Sequence, residues 1–411
     1  MLIRLRDKLF SIFFCLFLFW YPISNIILGN QGEAVDSIAM RIILIAFFLI
    51  SLFFYIIYRH KRRELTVLGI LVIFGFLFYI TQFFYEPQDF KYEGEFLRWG
   101  AECTAACLMG ITLMKLRSYS TVHRFLPIVV IVVSIFLVSA TLKSALASSI
   151  VQLNSGMNYQ TMAYFLAFLF ALSVYYAFIN RKSSKLIIRI VIMTCIPVQA
   201  VTCCMAGGRG GVVLLVVYIL VLSYIMVKLR RISKSLYIIL AILSIGVFIF
   251  TANYLNLWES AGFNRSSSLI RDKDRFELWK SIWKYVEQND YIGYGLGGDY
   301  YSFGFYTHNI FLDFILELGF LGFTIMIIIF FKMYRTIFKN IMINEIFIVV
   351  AIICLFGIVM NMFSGYWIST YTHWMALGIA LTYSDYFLIY SKNSRKAKSK
   401  YNSIVYFKTH A

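Results

Sequence analysis

Between Gly293 and Gly322 the chain reads GYGLGGDYYSFGFYTHNIFLDFILELGFLG. A glycine-rich loop runs into His308 and Asn309, which open a long apolar run carrying Asp313 and Glu317 one helical turn apart. A histidine can take a proton from a hydroxyl near pH 7, and neighbouring carboxylates can tune it. Ionisable groups in such an apolar run are costly and mark candidate functional sites. Two arginines supply the complementary charge. Arg209 lies in GGRGG (207–211), where glycines expose backbone N–H groups beside a permanent cation, a pairing suited to an anionic oxygen. The same string also fits a tight turn whose arginine snorkels to headgroups, so both readings stand. Arg275 is read as the first residue of a further helix, at the positive end of its dipole.

The elements that hold these residues are membrane spans. The chain is 61% hydrophobic with 14% charged residues, far beyond the roughly 45–50% apolar content of soluble domains. Apolar runs of about 18–24 residues separate the charged clusters, the length that crosses a bilayer as a helix. They predict spans at 9–29, 38–58, 65–85, 96–114, 125–147, 159–179, 186–206, 212–227, 236–252, 308–331, 341–363 and 370–390. The fold expected is a single all-α integral membrane domain over residues 1–411 with about 12 transmembrane helices. The runs are continuous and not alternating, which excludes a β-barrel.

The net charge of +18 is distributed like a topology signal, not like a nucleic-acid surface. Most of the lysines and arginines fall in alternate loops: Arg4 to Lys8, Arg59 to Arg63, Lys115 to Arg124, Arg181 to Lys185, Lys228 to Lys234, Lys332 to Lys339, and the tail 391–411. The other loops, such as QGEAVD (31–36), are acidic or neutral. The positive-inside rule then places both termini in the cytoplasm. The basic start and first apolar run lack a small-x-small cleavage site before Gly29, and read as an uncleaved signal-anchor. All seven cysteines lie inside apolar runs, which speaks against a disulfide framework or a zinc site.

The one long connection, 253–307, falls on the outer side, and loops of that length usually carry function. Within it, RFELWKSIWKYVEQ is helical, with Asp274 as N-cap and Glu277 as its reciprocal partner. Phe276, Trp279, Trp283 and Val286 share one face, as in a helix lying in the membrane interface. Arg41, Arg98, Glu102 and Lys143 occupy the outer halves of their spans, and His373 the outer end of the last. These positions predict a polar cavity opening outward, lined by Arg98, Glu102, Lys143, Asn309, Asp313, Glu317 and His373. It would accept a negatively charged lipid-linked substrate. No Asp-x-Asp or histidine cluster with metal-ligand spacing accompanies it, and GYGLGG lacks the βαβ setting of a dinucleotide fingerprint. No metal and no cofactor is expected.

These motifs resemble those of the O-antigen ligase and Wzy-type O-antigen polymerase superfamily of bacterial polysaccharide assembly. The likeness rests on glycine-flanked Arg209, R-x-x-x-W from Arg275 to Trp279, and G-x-G-x-G at Gly293, Gly295 and Gly297. It continues through HN-x-FL…E-x-G-x-x-G from His308 and Asn309 to Glu317, Gly319 and Gly322. It covers roughly residues 200–325; a serine that often precedes the family's arginine is Gly208 here. The resemblance implies a GT-C-like helical fold and a metal-independent, inverting glycosyl transfer. The donor implied is an oligosaccharide on undecaprenyl pyrophosphate at the outer leaflet of the bacterial inner membrane. Arg209 and Arg275 would stabilise the leaving pyrophosphate and His308 would act as base. A polymerase is favoured, with a chain-length regulator as a candidate partner. The alternatives are an O-antigen ligase acting on lipid A core, a protein O-oligosaccharyltransferase, and a non-enzymatic lipid-linked oligosaccharide flippase. A flippase needs charge through its whole depth, whereas the inner halves of these spans are nearly free of it apart from Arg189.

Overall fold

A computed structural model describes residues 2–28, 38–58, 93–116, 119–146, 159–180, 185–229, 273–288, 291–295, 307–342, 345–363, 365, 370–380 and 382–383. Among these residues every regular element is helical. The helices are α1 (Leu2–Leu18), α2 (Trp20–Leu28), α3 (Ile38–Ile57), α4 (Glu93–Leu113), α5 (Ser120–Leu146) and α6 (Tyr159–Val174). They continue with α7 (Leu186–Met205), α8 (Arg209–Lys228), α9 (Lys273–Gln288), α10 (Ile310–Asn340) and α11 (Ile346–Phe363). A last helical segment covers 371–380. The spans expected at 65–85 and 236–252, residues 253–272 of the long loop, and the tail 391–411 lie outside the described residues.

Six helices among the described residues are long and apolar enough to cross a bilayer: Ser120–Lys143, Tyr159–Ile179, Leu186–Met205, Arg209–Lys228, Ile310–Asn340 and Ile346–Phe363. The protein is a multi-pass membrane protein. Its outer surface carries exposed Ile42, Phe53, Ile135, Ile187, Leu220 and Phe331, the side chains a lipid environment accepts. Helix α6 is apolar on every side and is buried on every side, as such helices are. It is the central post, packed by α5, α7, α8 and α11.

Three expected spans change in ways that matter for the site. The first, 9–29, is broken at Phe19 into α1 and α2. Pro22 explains the break, because a proline removes an N–H and clashes with the carbonyl four residues back. That carbonyl belongs to Leu18, and Tyr371 Oη donates to it instead at 2.9 Å. The eighth begins at Arg209 and not at 212, so the arginine stands in the helix and not in the turn before it. The tenth, expected over 308–331, starts at Ile310, runs to Asn340, and is two helices meeting at Gly319.

Candidate functional site

The junction at Gly319 organises the site. Gly319 has φ 66° and ψ −175°, a non-helical conformation that ends one helix and starts another. The rings of Phe314 and Phe330 lie 5.4 Å apart, although a straight helix would separate those residues by about 24 Å along its axis. The half-helix 310–318 therefore folds back against the half 320–340. A helix that ends leaves its last carbonyls without partners, and one that starts leaves its first N–H groups so. The segment 291–295 serves both ends. Tyr294 N donates to the Leu316 carbonyl and Gly295 N to the Glu317 carbonyl, each at 2.8 Å, while Phe320 N donates to the Tyr291 carbonyl at 2.9 Å.

That contact is backbone against backbone, which is why glycines occupy it. Gly293 has φ 94°, and a Cβ there would lie 2.7 Å from the Glu317 carbonyl oxygen. A Cβ on Gly319 would meet the Ile292 and Tyr291 carbonyls. The G-x-G and E-x-G parts of the motif are thus two sides of one joint.

Below the joint, the start of the half-helix is fixed from three directions. Asn309 is its N-cap: Oδ1 accepts from Phe311 N at 3.0 Å and from Leu312 N at 3.4 Å. The carboxylate of Asp313, fully buried, accepts at Oδ1 from Thr307 N at 3.2 Å and lies 2.5 Å from Thr307 Oγ1. Trp279 Nε1 donates to the Thr307 carbonyl at 3.3 Å. With Thr307 and Asn309 both tied, His308 between them takes φ 56°. It is one of two non-glycine residues with positive φ among the described residues; the other is Tyr291, at the joint itself. Such conformations cost about 1–3 kcal/mol and persist where the surroundings impose them, commonly at functional sites.

These observations revise the expected placement of the histidine. His308 does not begin the helix but precedes its cap, half-buried, so the capping role belongs to Asn309. Asp313 bonds the residue before His308, an indirect hold that helical spacing alone left open. Glu317 is buried as well, and its carbonyl helps close the joint.

Helix α9 buttresses the same segment. Ile282 and Val286 are buried against Ile315 and Leu316, with Trp279, Leu312 and Tyr294 around them. The buried face thus runs through Trp279, Ile282 and Val286, whereas Trp283, grouped with Trp279 and Val286 by spacing, is exposed and meets the Tyr291 ring edge-on at 6.4 Å. The helix starts at Lys273, which puts Asp274 and Arg275 inside its first turn and not at its cap. Position 275 lies one turn before Trp279, the residue that ties α9 to Thr307.

Arg209 is positioned by a different set of glycines. Gly207 takes φ 79° and turns the chain; Gly208 then caps α8 and leaves Arg209 as its first residue, partly exposed. The flanking glycines serve contact with α6. A Cβ on Gly208 would lie 2.6 Å from Ala163 Cβ, and one on Gly211 2.6 Å from the Ala163 carbonyl carbon. A Cβ on Gly210 would enter the Tyr164 ring and lie 3.1 Å from Phe363 Cβ. Phe363 ends α11, and α10 and α11 form an antiparallel pair joined across 341–345. Arg209 therefore stands at the end of the bundle where α11 finishes.

The remaining residues named from sequence have the following settings. Glu102 is buried and accepts from Trp20 Nε1 at 2.9 Å, beside the break between α1 and α2. Arg98 stands one turn before it in α4. Lys143 is exposed near the end of α5. His373 is buried with Asn361 and Thr370 between α10, α11 and the last helical segment. Thr307 was not identified from sequence; the spacing of Thr307, Asn309 and Asp313 around a helix start is the capping signal that could have exposed it.

With the geometry in hand, comparison adds one finding. Residues 197–327 match the family model described as O-antigen ligase, which places that segment in the O-antigen ligase and Wzy-type superfamily and supports an enzyme of that general type. The match spans Arg209, α9, the joint at Gly319 and the His308 segment. No curated protein matches the chain at a significant level.

Proposed function

We propose, taking the O-antigen ligase-type segment over 197–327 as premise, that the protein polymerises polysaccharide from lipid-linked repeats. The donor is an oligosaccharide on undecaprenyl pyrophosphate and the acceptor a sugar hydroxyl of another lipid-linked repeat. The observation that carries this reading is His308, held in a strained conformation by Asp313 and Trp279 through Thr307, within the matched segment that also contains Arg209. In the reaction the acceptor hydroxyl gives its proton to His308 while its oxygen attacks the anomeric carbon. The bond from that carbon to the pyrophosphate oxygen breaks on the opposite face, inverting the centre. The leaving pyrophosphate takes the electron pair, and Arg209 and Arg275 stabilise the charge by forked hydrogen bonds. A pyrophosphate is a good leaving group, so charge stabilisation and a base suffice.

This reading goes with about 12 spans in a GT-C-like arrangement, both termini in the cytoplasm and the site at the outer face of the bacterial inner membrane. A chain-length regulator is the partner it calls for. A second reading, named by the words of the family description, is an O-antigen ligase; its acceptor would be lipid A core. Purified protein given a synthetic lipid-pyrophosphate donor and both acceptors separates them. A ladder of lengthening lipid-linked products supports the polymerase; a product on lipid A core alone supports the ligase. Transfer to neither would reject glycosyl transfer from this donor.

A further inference from the structure

Half-helix 310–318 has nine residues, too short to hold its own shape without tertiary packing. On one flank it is packed by Ile282 and Val286 of α9. On the other, Phe314 meets the Phe330 ring at 5.4 Å. Phe330 in turn is met edge-on by the imidazole of His373 at 5.1 Å, with an interplanar angle of 82°. The histidine is itself fixed. Thr370 Oγ1 donates to Asn361 Oδ1, which turns the Asn361 amide nitrogen toward His373 Nδ1, where it donates at 2.7 Å. Gly357 makes room for the ring, since a Cβ there would lie 3.1 Å from His373 Cδ2.

The arrangement is not one that stability alone would select. His373 Nε2 and Tyr334 Oη are buried with no hydrogen-bond partner among the described residues, and each such group costs about 1–3 kcal/mol. A phenylalanine at 373 would fill the space without the orphaned Nε2, at the loss of the acceptor for the Asn361 amide. His373 is also 2% exposed, which leaves little of it for a substrate to touch.

We infer that His373 is a positioning residue for the His308 site, acting through Phe330 and Phe314 on the half-helix that carries Asp313. Thr370 and Asn361 set the imidazole, the imidazole backs Phe330, and Phe330 holds Phe314. Asp313, next to Phe314, then holds Thr307 and with it His308. The inference rests on the proposed role of the His308 segment, and its test includes a readout that does not depend on activity.

The test compares full-length wild type, His373→Ala, His373→Phe and Phe330→Leu in nanodiscs. Hydrogen exchange of the 307–318 amides and steady-state kinetics with the synthetic donor are measured for each. Loss of the ring in His373→Ala should speed exchange within 307–318 and leave 209–228 unchanged. It should lower kcat about tenfold while the donor KM stays within about twofold, the pattern of misplacement and not of lost binding. Phe330→Leu, with His373 intact, should reproduce both effects, and His373→Phe should retain most of kcat because the ring remains. Unchanged exchange in 307–318 for His373→Ala and Phe330→Leu would overturn the inference. So would a raised KM shared by His373→Ala and His373→Phe alone, which marks a substrate contact. Normal turnover in His308→Gln, measured alongside, would instead reject the base assignment and leave the exchange result standing.

Discussion

Two glycine clusters flank the site, and the chain uses them in opposite ways. At 207–211 only Gly207 turns the backbone; Gly208, Gly210 and Gly211 are small so that α8 can press against Ala163 and Tyr164 of α6. At 293 and 319 both glycines have positive φ, and their backbones lie against each other at the end of a helix. The first cluster brings two straight helices together. The second breaks a helix and splices a loop into the break. Alike as strings, they differ in whether the glycine is needed for its conformation or only for its missing Cβ. Arg209 and His308, the polar groups they accompany, are positioned by rigid packing in one case and by a chain reversal in the other.

This contrast sets the expected sizes of substitution effects. Gly319→Ala should be the most damaging. It demands of alanine a positive-φ extended conformation that is essentially confined to glycine, costing about 1–3 kcal/mol, and drives a Cβ into the Ile292 carbonyl. A cost of about 3 kcal/mol or more against a usual stability of 5–15 should appear as loss of folded protein on detergent extraction. Near-normal yield and melting temperature would mean that the joint is not built as described.

Gly211→Ala should cost less, about 1–3 kcal/mol, the usual range for overpacking a tight contact. Its conformation is helical, and only the contact with Ala163, through both its Cβ and its backbone, opposes it. A drop in melting temperature smaller than that of Gly319→Ala checks the ranking; equal effects would erase the distinction between the clusters.

The helical architecture was legible in hydropathy, and so was the neighbourhood of the site in the His308 to Gly322 motif. The joint was not. Hydropathy runs without interruption through Leu318, Gly319 and Phe320, so a continuous span is the natural reading, and only a backbone angle shows the reversal. The apolar run opens at His308, but hydropathy does not locate the cap, and the bonds to Phe311 N and Leu312 N assign it to Asn309. On α9 the spacing groups Trp279, Trp283 and Val286 on one interfacial face, whereas the docking on Ile315 and Leu316 uses Trp279, Ile282 and Val286, a packing that spacing alone does not show. Glu102, Lys143 and His373 share a sequence depth with His308, yet helices at one depth need not face one cavity. Burial and partners separate them.

Smaller effects probe the polar groups themselves. Arg209→Lys keeps the charge and the packing of α8 but loses the planar fork. Melting temperature should hold while glycan transfer falls about tenfold, roughly 1.4 kcal/mol of transition-state stabilisation. Full activity would limit Arg209 to a general electrostatic contribution. Trp279→Phe keeps an aromatic ring against Ile315 and Leu316 of α10 and removes the N–H that holds the Thr307 carbonyl. One such bond contributes about 0.5–1.5 kcal/mol, so a small fall in melting temperature is expected. A larger drop in kcat than in stability would show that Thr307 matters for geometry more than for folding.

The account stands or falls on His308 as the base of a hydroxyl attack. Turnover of the synthetic lipid-pyrophosphate donor by purified wild type and His308→Gln, with donor binding measured in parallel, tests it most directly. The amide can hydrogen-bond but cannot accept the proton. Binding should be unchanged and turnover should fall by about 10²-fold or more, the scale of losing a general base. Turnover near that of wild type would contradict the assignment and leave His308 as a residue that only shapes the loop.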